Sequence, residues 1–454
     1  MMSRLPHTPP HTPCARFVAA AALALALPLS ADEPLTLRGA IDLALTRNER
    51  VLAAEARSEA SASRVSRARA FFFPELEVSG TYLQRGYEST RQIGDDTVTL
   101  QARDAQNTLS TLSWTLFDAR AFPLYRQAKL LREASRLDAL QQRRLLAYEA
   151  SGAYLATLGF EAVLHAAESR QAFARESLDD ARARFEAGLV SSNDVTRAEL
   201  ELANAELATS RATADAATSR LNLADLLVSD TPPALVAPME ILDMAAQPVA
   251  AGETEVDDTR ARRYDLLWLE STTAAQREFA KEPMLRLIPS LELTGLYRTT
   301  SDEGLTGRDH DSSASLVLTW TLFDGGEAFA ERAERIAQAR AAEYELGLAS
   351  RAVSTDVRIA RARLVSEQAS IRQAASAVAA ARKNSTESSA LYREGLATAL
   401  ERSDAAVQLF EAEVAEVRAK FSLAIAWLDL RDALGLDPLP ESAPAQESVE
   451  GTNE

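Results

Sequence analysis

Few side chains of this chain can support catalysis or hold a metal ion. Its one cysteine is Cys14, and beyond the first 31 residues its only histidines are His165 and His310, far apart in sequence. Thiol chemistry, histidine-based nucleophilic catalysis and the common zinc sites all need clusters of these residue types. The sequence therefore indicates no enzyme, no metal site and no cofactor.

The remaining candidates are acidic residues in two related short segments. Ser191 to Asp194 and Thr398 to Glu401 both fit the capping box, in which an acidic side chain satisfies free N–H groups at a helix start. From the residues alone, each carboxylate is either a helix cap or part of a functional surface. Asp404 lies one turn beyond the second cap and is not explained by capping. A glycine and a leucine precede each box: Gly188-Leu189 and Gly395-Leu396.

The N-terminus and the charge balance limit the compartment and the partners. Arg4 and Arg16 precede the apolar run 17–29, which is too short to span a bilayer and predicts an export signal over residues 1–31, cleaved after Ala31. The chain has 49 basic and 66 acidic residues, a net charge of −17. Removing the signal takes away two arginines, so the charge becomes 47 − 66 = −19. Nucleic acid is therefore excluded as a partner, and the periplasmic side of a bacterium fits best.

Internal repeats divide the chain into two related halves. LSWTLFD at Leu112–Asp118 returns as LTWTLFD at Leu318–Asp324, and Pro74–Tyr82 is echoed at Pro289–Tyr297. The matching segments occur in the same order in both parts of the chain, which indicates a duplication. The predicted organisation is a signal peptide at 1–31, a first half at 32–227, a proline-containing linker at 228–258, a second half at 259–434, and a polar C-terminal tail at 435–454.

Around the repeated segments, apolar and polar residues alternate with period two, which predicts two β-hairpins at about 75–118 and 289–324. The pattern fits transmembrane β-barrel strands or a half-buried sheet in a soluble domain. Four strands are too few for a membrane barrel, so two copies would supply eight strands and three copies twelve. The four aromatic residues on these strands belong either to interfacial belts or to ordinary packing: Tyr82, Trp114, Tyr297 and Trp320.

Two almost uninterrupted helical stretches, 119–187 and 327–394, are predicted to reach about 100 Å each. The returning helices carry apolar seams spaced by three and four residues, from Val195 to Leu226 and from Arg402 to Ala433. A plain coiled-coil rod would explain the seams but not the strands.

Together these features resemble the TolC-like outer-membrane efflux protein (outer-membrane factor) family over about residues 35–436. The segments that carry the resemblance are Leu35–Ala56, the FPELEVSG stretch from Phe73, the two WTLFD motifs and Arg184–Ala198. The resemblance implies a mixed α and β fold, a homotrimer with a twelve-stranded transmembrane β-barrel of four strands per chain, and a periplasmic α-helical barrel of coiled-coil helices.

It also implies a channel without catalytic activity, located in outer-membrane lipid. Such a channel docks with a periplasmic adaptor (membrane fusion) protein and an inner-membrane transporter, and passes drugs, metals or proteins outward in efflux or type I secretion. The competing interpretation is a structural or adaptor-like periplasmic coiled-coil protein without a pore.

In that family the tips of the helical hairpins close the periplasmic entrance. The family's gate has a basic residue near the second tip, where this chain has Ala397, so closure is expected to rest on Tyr392 with Asp194, or on Arg393. Three copies of Glu401 and Asp404 around a narrow opening would favour cations. The matched residues are Gly188, Leu189, Gly395 and Leu396 for adaptor docking, Asp194, Tyr392 and Arg393 for the gate, and Glu401 and Asp404 for an acidic entrance ring.

Overall fold

The computed structural model describes residues 34–230, 233–248, 255–302 and 308–440. The predicted signal peptide, most of the predicted tail and part of the predicted linker lie outside these ranges.

The elements of the first half are α1 (Leu37–Arg47), α2 (Glu49–Ala70), β1 (Glu75–Gln84), β2 (Ser89–Ile93), β3 (Asp96–Gln101), β4 (Asp104–Phe117), α3 (Ala121–Glu186) and α4 (Ser192–Leu227). Those that follow are α5 (Met239–Ala246), α6 (Glu255–Arg262), α7 (Tyr264–Phe279), α8 (Glu282–Leu285), β5 (Ser290–Thr300), β6 (His310–Thr319), α9 (Glu327–Arg393) and α10 (Ala399–Ala433).

Four long strands form one antiparallel sheet in the order β1-β4-β5-β6, so the two predicted hairpins are joined through β4 and β5. The register keeps most apolar and most polar side chains on separate faces. Leu76 pairs with Leu112, and Leu112 with Gly295, whereas Ser113 pairs with Thr294, and Thr294 with Ser315. Because paired residues on neighbouring strands project to the same side, one face is largely apolar and aromatic and the other largely polar.

The segment between β1 and β4 contains a second hairpin, which the period-two pattern of the sequence does not predict. β2 and β3 pair antiparallel, and Gly94 makes the turn between them with a φ of 70°. Thr97, Val98 and Thr99 are β-branched, which favours extended backbone. The overall polarity of the segment conceals this signal, since neither face of the small hairpin is apolar.

The repeated WTLFD motif is the junction between sheet and helices. The Trp114 indole N–H donates to the Phe72 carbonyl at 3.2 Å, and the Trp320 indole N–H donates to the Leu287 carbonyl at 3.0 Å. The aspartate that ends each motif then accepts backbone N–H groups of the following turn, as Asp324 does from Ala328 at 2.9 Å. The motif therefore ties the end of one strand both to the segment leading into its hairpin and to the helix that follows.

The helices pack as long antiparallel pairs. α3 and α9 have 66 and 67 residues, about 100 Å at 1.5 Å per residue. Along α3 lie α2 and then α4, and along α9 lie α7 and then α10. The seam positions predicted on α4 and α10 are all buried or half-buried. The mixed fold class predicted from the sequence, with coiled-coil helices continuing from the strands, is confirmed.

A buried tyrosine ties the N-terminal segment and the connection between the halves to α3. The Tyr154 side chain is fully buried, and its hydroxyl lies 2.6 Å from both the Leu35 and the Val236 carbonyl oxygens. It also accepts the Val236 N–H at 2.9 Å. Burial raises the pKa of Tyr154, so the hydroxyl stays protonated as a donor.

The tips of the two helical hairpins turn in the same way. Gly188 has a φ of 76° and Gly395 a φ of 75°, a conformation that side chains with a Cβ rarely adopt. After each glycine, the Leu189 N–H donates to the Arg184 carbonyl at 2.9 Å and the Leu396 N–H to the Leu391 carbonyl at 2.8 Å. Each long helix therefore ends in a glycine-dependent turn.

Replacing Tyr154 by Phe is expected to lower the free energy of unfolding by about 1–3 kcal/mol, since a buried carbonyl loses its donor. The urea midpoint, followed by helical circular dichroism, measures this. Tyr344→Phe is the control, because the Tyr344 side chain is 71% exposed. Equal midpoints for the two variants would contradict the assignment.

Gly188→Ala and Gly395→Ala are each expected to destabilise the chain by about 1–2 kcal/mol through the positive φ. No atom lies within 4 Å of a Cβ built at either position, so steric contact does not contribute. Gly152, inside α3, has equally open surroundings. Gly152→Ala should therefore stabilise the helix by about 0.5–1 kcal/mol in the same unfolding measurement, and a loss of stability there would contradict this account.

Candidate functional site: the hairpin tips

Each of the two tips carries a strongly exposed leucine. Leu189 is 73% exposed and Leu396 is 77% exposed, directly after the glycine of each turn. The predicted docking residues Gly188, Leu189, Gly395 and Leu396 therefore lie at corresponding positions in two similar turns.

The acidic residues at the helix starts are caps within one chain. The Asp194 carboxylate accepts the Ser191 N–H at 3.0 Å and the Ser191 hydroxyl at 2.8 Å. The Glu401 carboxylate accepts the Thr398 N–H at 2.8 Å and the Thr398 hydroxyl at 3.0 Å. In the single chain, Asp194 and Glu401 therefore act as helix caps, which is the first of the two alternatives left open by the sequence.

The hydrogen bonds from Thr398 lower the pKa of Glu401 below its usual value. Because the folded-state pKa is depressed, the capping contribution is present above the normal glutamate range. It is lost only as the pH falls through the lowered pKa. At neutral pH Glu401 is therefore an exposed carboxylate, and Asp404, one turn further along α10, is exposed as well.

Tyr392 and Asp194, the residues expected to form a gate bond, line the same cavity of about 340 Å³ between the hairpins. The single chain does not bond them to each other, and both hydrogen bonds from Ser191 end on Oδ2 of Asp194. The Tyr392 ring instead lies near the guanidinium groups of Arg184 and Arg402, at 4.6 and 5.0 Å from its centroid. Arg393 is exposed. The gate function of Asp194, Tyr392 and Arg393 stays a prediction.

Sequence reasoning missed the two arginines beside Tyr392 and the Asp180 carboxylate that joins them. The sequence did contain one signal, because Arg402 occupies a seam position of α10, where apolar residues are the rule. In the structure the Arg402 side chain is only 13% exposed. Which helix supplies its counter-charge depends on how α3 packs against α10. Spacing along the chain does not reveal that packing.

Two other kinds of functional feature, a metal-holding cluster and a membrane-spanning helix, are absent from the described residues. In the described ranges, no three His, Asp or Glu side chains converge as a metal site requires. No helix in the part of the chain that the structure covers combines the length and hydropathy needed to cross a membrane.

Two solved structures of outer membrane channels are similar in fold to this chain. The outer membrane channel CmeC of Campylobacter jejuni is similar with a TM-score of 0.74 and 17% identity, over 88% of this chain and 85% of CmeC. The open state of the MtrE outer membrane channel of Neisseria gonorrhoeae is similar with a TM-score of 0.71 and 20% identity, over 89% and 91% of the two chains.

In sequence, the chain is similar to a known protein and matches a protein family. Protein CyaE of Bordetella pertussis is 32% identical over 376 residues, which covers 78% of this chain and 75% of CyaE. Residues 40–228 and 256–436 match the family described as outer membrane efflux protein, across both halves of the duplication. The chain belongs to the outer membrane efflux protein family.

Proposed function

We propose that three copies of this chain form the exit duct of a tripartite efflux or type I secretion system. Each chain would contribute four strands to a twelve-stranded barrel in the outer membrane and two helical hairpins to a periplasmic tunnel. Family membership supports the role of an outer-membrane channel. The trimer and the tripartite assembly are the additional steps of the proposal.

One observation carries the proposal: within the described chain, the four-stranded sheet is open and uncovered. β1 and β6 are its edge strands, and every residue of both is exposed in the single chain. In lipid, unpaired backbone groups at such edges cost several kcal/mol each. Pairing β6 of one copy with β1 of the next satisfies them, and lipid covers the apolar face.

The tips support docking to a periplasmic adaptor that connects the duct to an inner-membrane transporter. Leu189 and Leu396 project from two similar turns on each chain, so three chains would present six such positions. A duct wall does not need to recognise its cargo, which is consistent with passage of either small molecules or proteins.

The assembly is tested by extracting the full-length protein from outer membranes with detergent. We expect a trimer by native mass measurement, and stable conductance after reconstitution into planar bilayers. Recovery as a soluble periplasmic monomer without pore activity would overturn the proposal. That result would favour the structural or adaptor-like coiled-coil alternative.

The acidic entrance ring has its own test. Three copies of Glu401 and Asp404 would place six carboxylates at the entrance, so the paired change Glu401→Gln/Asp404→Asn should reduce the preference for cations. The glutamine retains an oxygen that can accept from Thr398. The reversal potential in a salt gradient at low ionic strength measures the effect, since salt screens these charges.

Glu413→Gln is the matched control. Glu413 also lies on α10, but it pairs with Arg382 at 3.0 Å and is farther from the tip. It should leave the selectivity unchanged. An unaltered cation preference in the paired variant would exclude the ring.

A further inference from the structure

A cluster of aromatic side chains lies where the sheet meets the helices of the first half. The Trp114 indole, on the apolar face of the sheet, donates to the Phe72 carbonyl at 3.2 Å. The centroid of the Phe72 ring lies 5.8 Å from that of Phe122 and 6.0 Å from that of Tyr125. Phe122 is 50% exposed and Phe73 is 59% exposed. The apolar face of the sheet therefore continues into an exposed aromatic surface at the start of α3.

The helical turns next to these aromatic residues are strongly basic. Residues 60–74 and 119–132 contain seven arginines and lysines and no aspartate or glutamate. Glu75, which follows the first range, starts β1 on its polar face. Arg120 pairs with Asp118, which precedes the second range. The other six cations are all exposed: Arg64, Arg67, Arg69, Arg126, Lys129 and Arg132.

The second half builds the same junction with balanced charges. The indole bond of Trp320 corresponds to that of Trp114, and the repeats align the segments around both bonds. The residues of the second half that correspond to the basic turns are 275–289 and 325–338, and they contain five basic and five acidic side chains. Their net charge is therefore zero, whereas that of the first-half turns is +7.

Two aligned positions show how the difference in charge arises. Glu282 and Arg335 of the second half are buried and form an ion pair at 2.8 Å. The repeats align Arg67 with Glu282, and Lys129 with Arg335. The first half thus has two cations where the second has a cation and its counter-ion, and both of these cations are exposed. Lys129 Nζ instead lies 4.6 Å from the centroid of the Tyr125 ring.

In the proposed duct, the distance along the helices places these cations at the depth of lipid headgroups. Aromatic side chains sit at the headgroup level, and each headgroup layer is about 5–8 Å thick. At about 1.5 Å per residue, Arg126 lies about 6 Å beyond Phe122, and Arg67 lies about 8 Å beyond Phe72. Lys129 lies about 10 Å beyond Phe122, a distance that its long side chain can shorten by extending towards the headgroups.

We propose that Arg67, Arg126 and Lys129, with the exposed rings of Phe73 and Phe122, bind anionic phospholipid in the periplasmic leaflet of the outer membrane. The cations contact the headgroup phosphate, and the rings contact the upper part of the acyl chains. Charge complementarity selects this occupant, because the basic turns contain no carboxylate of their own. The site rests on the proposed function, since it requires the sheet to lie in the outer membrane.

The first test measures how much lipid the full-length protein retains in detergent, by native mass measurement. The probes are dioleoylphosphatidylglycerol, which is anionic, and dioleoylphosphatidylcholine, which has no net charge. The wild-type protein should retain more of the anionic lipid. Arg67→Gln/Arg126→Gln/Lys129→Gln should lower its affinity for that lipid about fivefold per cation and leave phosphatidylcholine unaffected. Equal retention of both lipids by the wild type, or a preference that survives in the triple variant, would overturn the proposal.

Arg126 and Arg332 offer a matched comparison, because they occupy aligned positions in the two halves and both are exposed. Arg332 is flanked along α9 by Glu331 and Glu334, whereas the turns around Arg126 have no carboxylate. Arg126→Gln should lower the affinity for phosphatidylglycerol about fivefold, and Arg332→Gln by less than about twofold. Equal losses would indicate a general effect of charge and exclude a site on α2 and α3.

Two further measurements define the ligand. Inorganic phosphate and glycerol 1-phosphate carry the anion without acyl chains, so neither should displace phosphatidylglycerol at equal concentration. Displacement would reduce the site to one for free anions and contradict the lipid assignment. Phe73→Ala/Phe122→Ala should lower the retention of both lipids by the same factor, since the rings contact acyl chains. A loss confined to the anionic lipid would contradict that role of the rings.

The result can be separated from that of the duct proposal. Protein that does not conduct, but whose preference for phosphatidylglycerol disappears in the triple variant, would reject the duct and retain the lipid site. Conducting trimers without that preference would reject the lipid site and retain the duct. Circular dichroism and native mass of every variant check that the helices and the assembly are intact.

Discussion

The unpaired edges of the four-stranded sheet are the constraint on which the rest of the structure depends. One chain carries a sheet with an apolar face, a polar face and two open edges, and such a sheet is not stable in lipid alone. In the proposed duct, other chains close this sheet, and the closed ring of strands is followed by a matching ring of helices. The WTLFD junctions fit this arrangement, because the indoles of Trp114 and Trp320 anchor the end of a strand a few residues before a long helix begins.

Sequence pattern predicted most of this fold because the controlling interactions are periodic. Alternation of residues such as Leu76 and Val78 with Glu77 and Ser79 defines the two strand faces, and the observed register leaves one face of the sheet largely apolar and the other largely polar. Spacing by three and four likewise identified the seams of α4 and α10, whose positions are buried or half-buried. The β2–β3 hairpin was missed because it is polar on both faces and leaves no periodic signal.

At the tips, sequence reasoning succeeded for local interactions and failed for tertiary ones. A capping box is complete within four residues, so Thr398 and Glu401 suffice to predict it, and the bonds are present. The surroundings of Tyr392 depend instead on how α3 crosses α10. The indole bonds of Trp114 and Trp320 show the same limit, because their acceptors lie on other segments. Neither the membrane-belt interpretation nor ordinary packing anticipated a hydrogen bond to a backbone carbonyl.

Divergence between the repeats explains why the tips contact each other asymmetrically. With the offset that aligns Gly188 with Gly395, Arg402 corresponds to Val195 and Tyr392 to Phe185. Val195 keeps the apolar character of its seam, whereas Arg402 carries a charge that its own seam does not neutralise, and Asp180 on the other hairpin does so. A cation placed on only one of the two hairpins makes the contact asymmetric, since its counter-charge lies on α3 and its aromatic partner at the end of α9.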